Sequence, residues 1–216
     1  MIGAVIVSGG SVDEVGMLKM LHDIPDCILF AADKGVEMCV KHNLIPEYVI
    51  GDFDSVSDMA RTAMNHWGVP VTTLKPEKDD TDTEAALRLA LKETKGDVVI
   101  FGGTGTRLDH VLGNISILGL GFAEGRQIIL QDHHNRIRLL DRSYTISKEV
   151  QYGDFISIFP YTTEVKGLTL EGVKYPLKDF TLKGYTSIGV SNEIIEDEAH
   201  ISFTEGVLIL VESKDN

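Results

Sequence analysis

From residue 3 to residue 132 the sequence alternates short apolar runs with stretches of helical period, and this alternation narrows the possible folds more than any other feature. The runs Ala4 to Val7, Ile28 to Ala32, Tyr48 to Ile50, Val69 to Leu74, Val98 to Phe101 and Ile128 to Leu130 predict strands. Helical patterns between them cover about 11–21, 35–42, 57–67, 82–94 and 108–121. The apolar runs are unbroken, as expected of strands buried on both faces, so this part reads as an α/β domain on a mostly parallel sheet. From Arg136 the texture changes. Short alternating segments such as Phe155 to Phe159, Gly167 to Leu170 and Val207 to Val211 are separated by Gly, Pro and Asn turns. They predict an all-β sandwich. The expected division is an α/β catalytic domain over 1–134 and a β-sandwich domain over 135–216, packed together without a long linker.

In an open α/β sheet, ligands bind beyond the carboxyl ends of the strands. The predicted strands are followed there by Ser8-Gly9-Gly10-Ser11, Asp33-Lys34-Gly35, Asp52-Phe53-Asp54-Ser55, Lys75 to Glu84, and Gly102-Gly103-Thr104-Gly105-Thr106-Arg107. Glycines, acids and bases therefore collect on one edge. If the chain leaves the third strand extended, Asp52 and Asp54 point the same way, about 6 to 7 Å apart at the backbone, and Phe53 turns into protein. In Lys78-Asp79-Asp80-Thr81-Asp82-Thr83-Glu84 the Thr81 to Glu84 spacing fits a capping box; capping accounts for Thr81 and Glu84 but not for Lys78 or for four acids in six residues.

The glycine-rich turn from Gly102 to Arg107 lets backbone approach a phosphate, and Arg107 can bind one through two N–H groups. A tight turn with a surface pair between Arg107 and Asp109 is the plainer alternative. Neither a dinucleotide-binding fingerprint nor a P-loop is present, which disfavours a Rossmann dehydrogenase and a P-loop nucleotidase. Mg²⁺ prefers oxygen ligands and is usually held by one or two carboxylates together with substrate phosphates. Asp52, Asp54 and Asp82 would supply such a site, with Lys78 and Arg107 neutralising charge on a transferring group. The residues alone thus point to a metal-dependent enzyme acting on a nucleotide.

A formal net charge of −13 argues against a general nucleic-acid binder, though not against a phosphate-bearing small molecule offset by metal and a few bases. No apolar run approaches the roughly 20 residues that a membrane span needs, and the start carries no signal-peptide pattern, so no membrane partner and a cytoplasmic location are expected. Cys27 and Cys39 lack metal-type spacing and read as buried free thiols.

Several motifs, in order over nearly the whole chain, resemble the thiamine pyrophosphokinase family. They are Ala32-Asp33-Lys34-Gly35, Pro46 to Ser55, Lys78 to Glu84, Gly102 to Asn114, Gly172 to Leu177 and Ser191-Asn192-Glu193. Two positions depart from the family pattern, Lys34 and Thr106, where glycine is commoner. The resemblance implies Mg²⁺-dependent transfer of pyrophosphate from ATP to the hydroxyl of thiamine, giving thiamine diphosphate and AMP. It implies a homodimer whose active sites lie between catalytic and sandwich domains of different subunits. Carried over, Asp52, Asp54 and Asp82 would hold the metal with Asp33 nearby, and Lys78, Thr81, Gly102, Gly105, Arg107 and Asp109 would line the ATP site. Tyr175 would face thiamine, with Ser191 and Asn192 at its pyrimidine end; an aromatic face attracts the permanently cationic thiazolium. The proton acceptor stays open between Asp109, an aspartate of the metal cluster and a phosphate oxygen. A non-catalytic thiamine or nucleotide sensor and a metal-dependent nucleotidyltransferase are the alternatives.

Overall fold

Strand and helix boundaries follow the apolar pattern closely. The computed structural model describes residues 1–54, 56–74, 80–105 and 107–215. Its elements up to residue 131 are β1 (Ile2–Val7), α1 (Glu14–Asp23), β2 (Ile28–Ala32), α2 (Gly35–Lys41), β3 (Tyr48–Gly51), α3 (Asp58–Trp67), β4 (Val71–Thr73), α4 (Asp82–Glu93), β5 (Asp97–Phe101), α5 (Leu108–Ile117), a 3₁₀ segment (Leu118–Glu124) and β6 (Ile128–Gln131). Beyond them lie β7 (Asn135–Leu140), β8 (Tyr144–Ser147), β9 (Phe155–Pro160), β10 (Glu164–Glu171), β11 (Leu177–Lys183), β12 (Glu198–Ser202) and β13 (Leu208–Ser213). Contacts divide the chain into two units, Met1–His133 and His134–Asn216. No helix among the described residues is long and apolar enough to cross a membrane.

In the first unit the strands run in the order β4-β3-β2-β1-β5-β6, every neighbouring pair parallel. In β1, β2, β3, β5 and β6 the period of two fills both faces, while the end strand β4 is exposed, contrary to the expectation that every apolar run here is buried. Val5, Val7, Leu29, Ala31, Val49, Val99 and Phe101 form one core with Met17 of α1, Val36 and Cys39 of α2, and Ala60 and Met64 of α3. The alternate residues, among them Ile6, Phe30, Ile50 and Ile100, are equally buried, and α4 packs across β1, β2, β3 and β5. Each such side chain contributes about 1.5–3 kcal/mol by leaving water. Cys27 and Cys39 are free and buried, and burial pushes the Cys39 thiol up to about 12.

Where elements differ from expectation, local chemistry explains it. The helix expected from residue 11 begins at Glu14 because Asp13 caps it, its carboxylate accepting the Gly16 N–H at 3.0 Å. The helix expected to run to 121 gives way to 3₁₀ geometry at Leu118, in a stretch holding Gly119 and Gly121; a Cβ at Gly121 would stand 2.4 Å from the Arg126 carbonyl. The extended course expected beyond β3 is overturned: Phe53 lies at φ +58°, in the left-handed region, so the spacing that would align Asp52 with Asp54 along a strand does not apply. The Phe53 ring is nevertheless 5% exposed.

The second unit carries two antiparallel sheets. β13 lies between β7 and β9, and β11-β10-β12-β8 forms the other sheet. Their facing residues, including Leu140, Ile156, Ile158, Leu168, Leu170, Ile201, Leu208 and Leu210, make one core, the arrangement of a β-sandwich.

Arg126, 8% exposed, ties the C-terminal end of α4 to the unit. Its Nη1 donates to the Leu91 carbonyl at 2.8 Å and to the Thr94 carbonyl at 3.1 Å, its Nη2 donates to Thr94 Oγ1 at 2.9 Å, and its Nε donates to the Gly96 carbonyl. A cation there complements the negative end of the helix dipole. Arg126→Ala should lower the unfolding free energy by about 2–4 kcal/mol, read from urea denaturation followed by circular dichroism, because several buried carbonyls lose their donor together.

Candidate active site

The carboxyl ends of β2 and β3 and the first turn of α4 meet at one place. Asp33 follows β2, Asp52 follows β3, and Asp82 opens α4. One carboxylate oxygen of each lies within 4.8 Å of the others, and among the described residues this is the one group of three His, Cys, Asp or Glu side chains close enough to share an ion. The helix places Asp82 accurately. Thr81 Oγ1 accepts the Glu84 N–H at 3.2 Å, and Thr83 shares a buried 2.6 Å hydrogen bond with Ser8 Oγ at the end of β1. The reciprocal half of the capping box does not form: Glu84 Oε1 instead accepts from Arg88 Nε at 3.0 Å and Nη2 at 2.6 Å.

Asp33 is fixed by its backbone. Its N–H donates to the Ile50 carbonyl at 2.8 Å, and its φ of +46° swings the chain from β2 into α2. Gly35 is required there, since a Cβ would stand 1.9 Å from the Val7 carbonyl. Burial above all pushes the Asp33 carboxyl above its ordinary range; the Lys34 N–H hydrogen bond opposes it, and the charges of Asp82 and Asp52 add smaller upward pushes. Its Oδ1 is buried without a hydrogen-bond partner among the described residues. Three carboxylates this close, one of them with an unsatisfied oxygen, suit an oxygen-seeking divalent cation such as Mg²⁺.

The other expected site residues fall out as follows. Asp54 is exposed and stands outside the three-carboxylate group; its N–H donates to Asp52 Oδ1 at 3.2 Å. Lys78 lies outside the described residues. Thr81 spends its hydroxyl on the helix cap. Gly102 has φ +72°, and a Cβ on it would stand 2.2 Å from the Ser8 carbonyl, so its glycine serves the tight seam where the loops after β1 and β5 pair. That seam is closed by Ser8 N–H to Phe101, Gly10 N–H to Gly102 and Ser11 N–H to Thr104, each 2.8 Å. At Gly105 a Cβ would meet only an ordinary contact, 3.6 Å from Ser11 N. Arg107 and Asp109 pair on the surface, Nε to Oδ1 at 3.2 Å and Nη2 to Oδ2 at 2.5 Å. The Arg107 guanidinium, followed by the weaker His110 N–H bond, holds the Asp109 carboxyl down at about 2.

In the second unit Tyr175 presents a ring that is 59% exposed, with Lys174 Nζ 5.7 Å from its centroid. Asn192, expected at the pyrimidine end of thiamine, turns its amide onto the backbone. Its Oδ1 accepts the Tyr175 and Glu193 N–H groups, both at 3.0 Å, and its Nδ2 donates to the Tyr175 carbonyl at 2.8 Å. Ser191 is exposed at φ +56°, held by its N–H to Ser157 Oγ at 2.9 Å. Sequence reasoning missed Ser8 and Thr83 as the pair that seats Asp82. Their signal was faint: a serine at a strand end and a threonine inside a capping pattern, 75 residues apart.

Two family models match the chain: the thiamin pyrophosphokinase catalytic domain over residues 25–130 and the thiamin pyrophosphokinase vitamin B1 binding domain over residues 143–208. A thiamine pyrophosphokinase of Bacillus subtilis (strain 168) is 33% identical over 211 residues, spanning 97% of this chain and 98% of that protein. The crystal structure of thiamine pyrophosphokinase from Bacillus subtilis superposes with a TM-score of 0.88 at 32% identity, covering 99% of each chain. That of thiamin pyrophosphokinase from Geobacillus thermodenitrificans gives 0.85 at 30%, covering 100% of this chain and 99% of the other. Yeast thiamin pyrophosphokinase, at 15% identity and a TM-score of 0.81 over 98% and 86% of the two chains, shares the fold.

Two measurements test the electrostatics of the first unit. Asp33→Asn keeps a residue that tolerates left-handed backbone and removes one of three repelling charges. Because a raised carboxyl pKa favours folding fully only below the unfolded value near 3.9, and loses that contribution as pH rises, ionised Asp33 opposes folding at neutral pH. The variant should therefore melt higher than the parent without divalent cations, by about 2–4 °C for each 1 kcal/mol relieved, and should gain less from added Mn²⁺. Asp109 has the opposite sign. Its depressed pKa contributes stability that is present above the unfolded value and is lost as pH falls toward about 2. Carboxyl-carbon NMR should place its midpoint near 2 and, in Arg107→Ala, back in the ordinary aspartate range.

Proposed function

Since the chain belongs to the thiamine pyrophosphokinase family and is an enzyme of that type, we propose that it transfers the pyrophosphoryl group of ATP to the hydroxyl of thiamine, releasing AMP. The observation that carries the reading is the convergence of Asp33, Asp52 and Asp82, one carboxylate oxygen of each within 4.8 Å of the others, at the sheet edge where α/β folds bind nucleotides. Those three would hold Mg²⁺, with the exposed Asp54 as a fourth acid of the set, and the ion would supply neutralisation of phosphate charge.

The remaining roles fall to the chain's own groups. Arg107 offers a planar fork to a phosphate, and a phosphate taking that fork releases Asp109 from its partner. Asp109 is then a candidate to accept the hydroxyl proton. Gly102, Gly105 and Thr81 shape the backbone near the phosphates, and Lys78 is assigned to the same nucleotide. In the transfer the thiamine oxygen bonds to the β-phosphorus of ATP while the bond from that phosphorus to the oxygen bridging to the α-phosphate breaks, so the bridging oxygen leaves with AMP. The exposed face of Tyr175 attracts the thiazolium cation, and Asn192 fixes that residue's backbone on both sides. Ser191, the residue before Asn192, adds an exposed side chain. The working form we propose is a homodimer.

Product analysis tests the reading. Incubation with ATP, Mg²⁺ and thiamine should give AMP and thiamine diphosphate in equal amounts. ADP in place of AMP would mark an ordinary kinase, free pyrophosphate a nucleotidyltransferase, and binding without turnover a sensor.

A further inference from the structure

The three carboxylates are not held equally. Asp33 is fixed by its own backbone bond to β3, and Asp82 by the buried contact between Thr83 and Ser8. Asp52 leaves β3 on a loop, and the next residue, Phe53, sits in a left-handed conformation that residues other than glycine keep only when their surroundings hold them. One side chain from outside the loop grips Phe53 itself, and a second holds the far end of the loop at Ser57. Arg61, in α3, donates its Nη2 to the Phe53 carbonyl and its Nε to the Val56 carbonyl at 3.3 Å. One rigid guanidinium thus spans both carbonyls, which the single ammonium of a lysine does not reproduce. Glu37, in α2, accepts the Ser57 N–H at 2.7 Å and the Ser57 hydroxyl at 3.0 Å. Between them, α2 and α3 brace the loop from two directions.

We propose that Arg61 is a positioning residue of the carboxylate site, acting through the Phe53 and Val56 carbonyls to hold Asp52 against Asp33 and Asp82, with Glu37 as its counterpart on α2. The proposal rests on the reading of those three aspartates as a metal site. Arg61 donates to backbone carbonyls of the loop, so its effect on the carboxylates runs through the chain. Its loss frees the loop, while α2 and α3 keep the core contacts that do not involve it. Removing groups that orient metal ligands typically lowers affinity about 10–100-fold.

Mn²⁺ binding to the full chain without nucleotide, followed by electron paramagnetic resonance, tests this. Arg61→Ala should weaken Mn²⁺ by at least about 10-fold, Arg61→Lys by less, and Glu37→Gln measurably, with far-ultraviolet circular dichroism unchanged. In turnover, Arg61→Ala should need more Mg²⁺ for half-maximal rate yet recover the parent rate at saturation, a split that a general loss of stability does not produce. Parent-like Mn²⁺ affinity in Arg61→Ala, alongside lost affinity in Asp52→Asn, overturns the positioning role. Parent-like affinity in Asp52→Asn overturns the metal reading itself, and the role with it. Should Arg61→Ala not fold, parent-like affinity in both Arg61→Lys and Glu37→Gln overturns the role, and weakened affinity in both upholds it.

Discussion

Three negative charges within 4.8 Å of one another oppose the fold that gathers them, and much of the first unit can be understood as the means of keeping them there. Repulsion between like charges rises as water is withdrawn; at Asp33 burial is the main cause of the raised carboxyl pKa, and the charges of Asp82 and Asp52 add to it. The restraint is backbone geometry. Parallel strands buried on both faces cannot shift by one residue without carrying a whole apolar row out of the core, so the ends of β2 and β3 are fixed relative to each other. The positive end of the α4 dipole lies at Asp82 and eases the local excess of charge. A site of this kind spends stability to be ready for a counter-ion, as strained and repelling groups at functional centres commonly do.

The sequence shows the layered plan because that plan is written in periodicity, which is local. Apolar runs of four to six residues, interrupted by helical stretches, report a sheet covered on both faces whatever the loops do. Local reading fails where a long-range contact decides. Nothing near Phe53 announces a left-handed residue, because the carbonyl that follows is gripped by Arg61 from the next helix. Nothing near Asn192 announces that its amide will be consumed by Tyr175, 17 residues earlier in the chain. Asp33 is the instructive case: the motif placed it near the acids, but its membership in the three-carboxylate group emerges only once β2 and β3 stand side by side.

The second unit handles polarity differently. Near one end of its core Arg138 pairs with Glu212 at 3.1 Å and donates to the Tyr144 hydroxyl at 2.6 Å, while Glu212 accepts the Tyr152 N–H at 2.9 Å. Both charged groups are almost wholly buried, and each is the other's counter-charge, although Arg138 Nε is left without a hydrogen-bond partner among the described residues. Such a pair adds little net stability but penalises any register that would separate its members. In a sandwich of short strands and many turns, a register mark has more value than another methyl group.

The two anchors of α4 have a joint consequence. Thr83 is locked to Ser8 at one end and Arg126 is threaded into the carbonyls at the other, so the helix is a strut clamped at both ends. A sliding or rolling α4 would have to break buried hydrogen bonds simultaneously at sites more than two turns apart. Rearrangement on ligand binding is therefore resisted along α4 itself, which makes Asp82 a stationary reference for whatever the site receives.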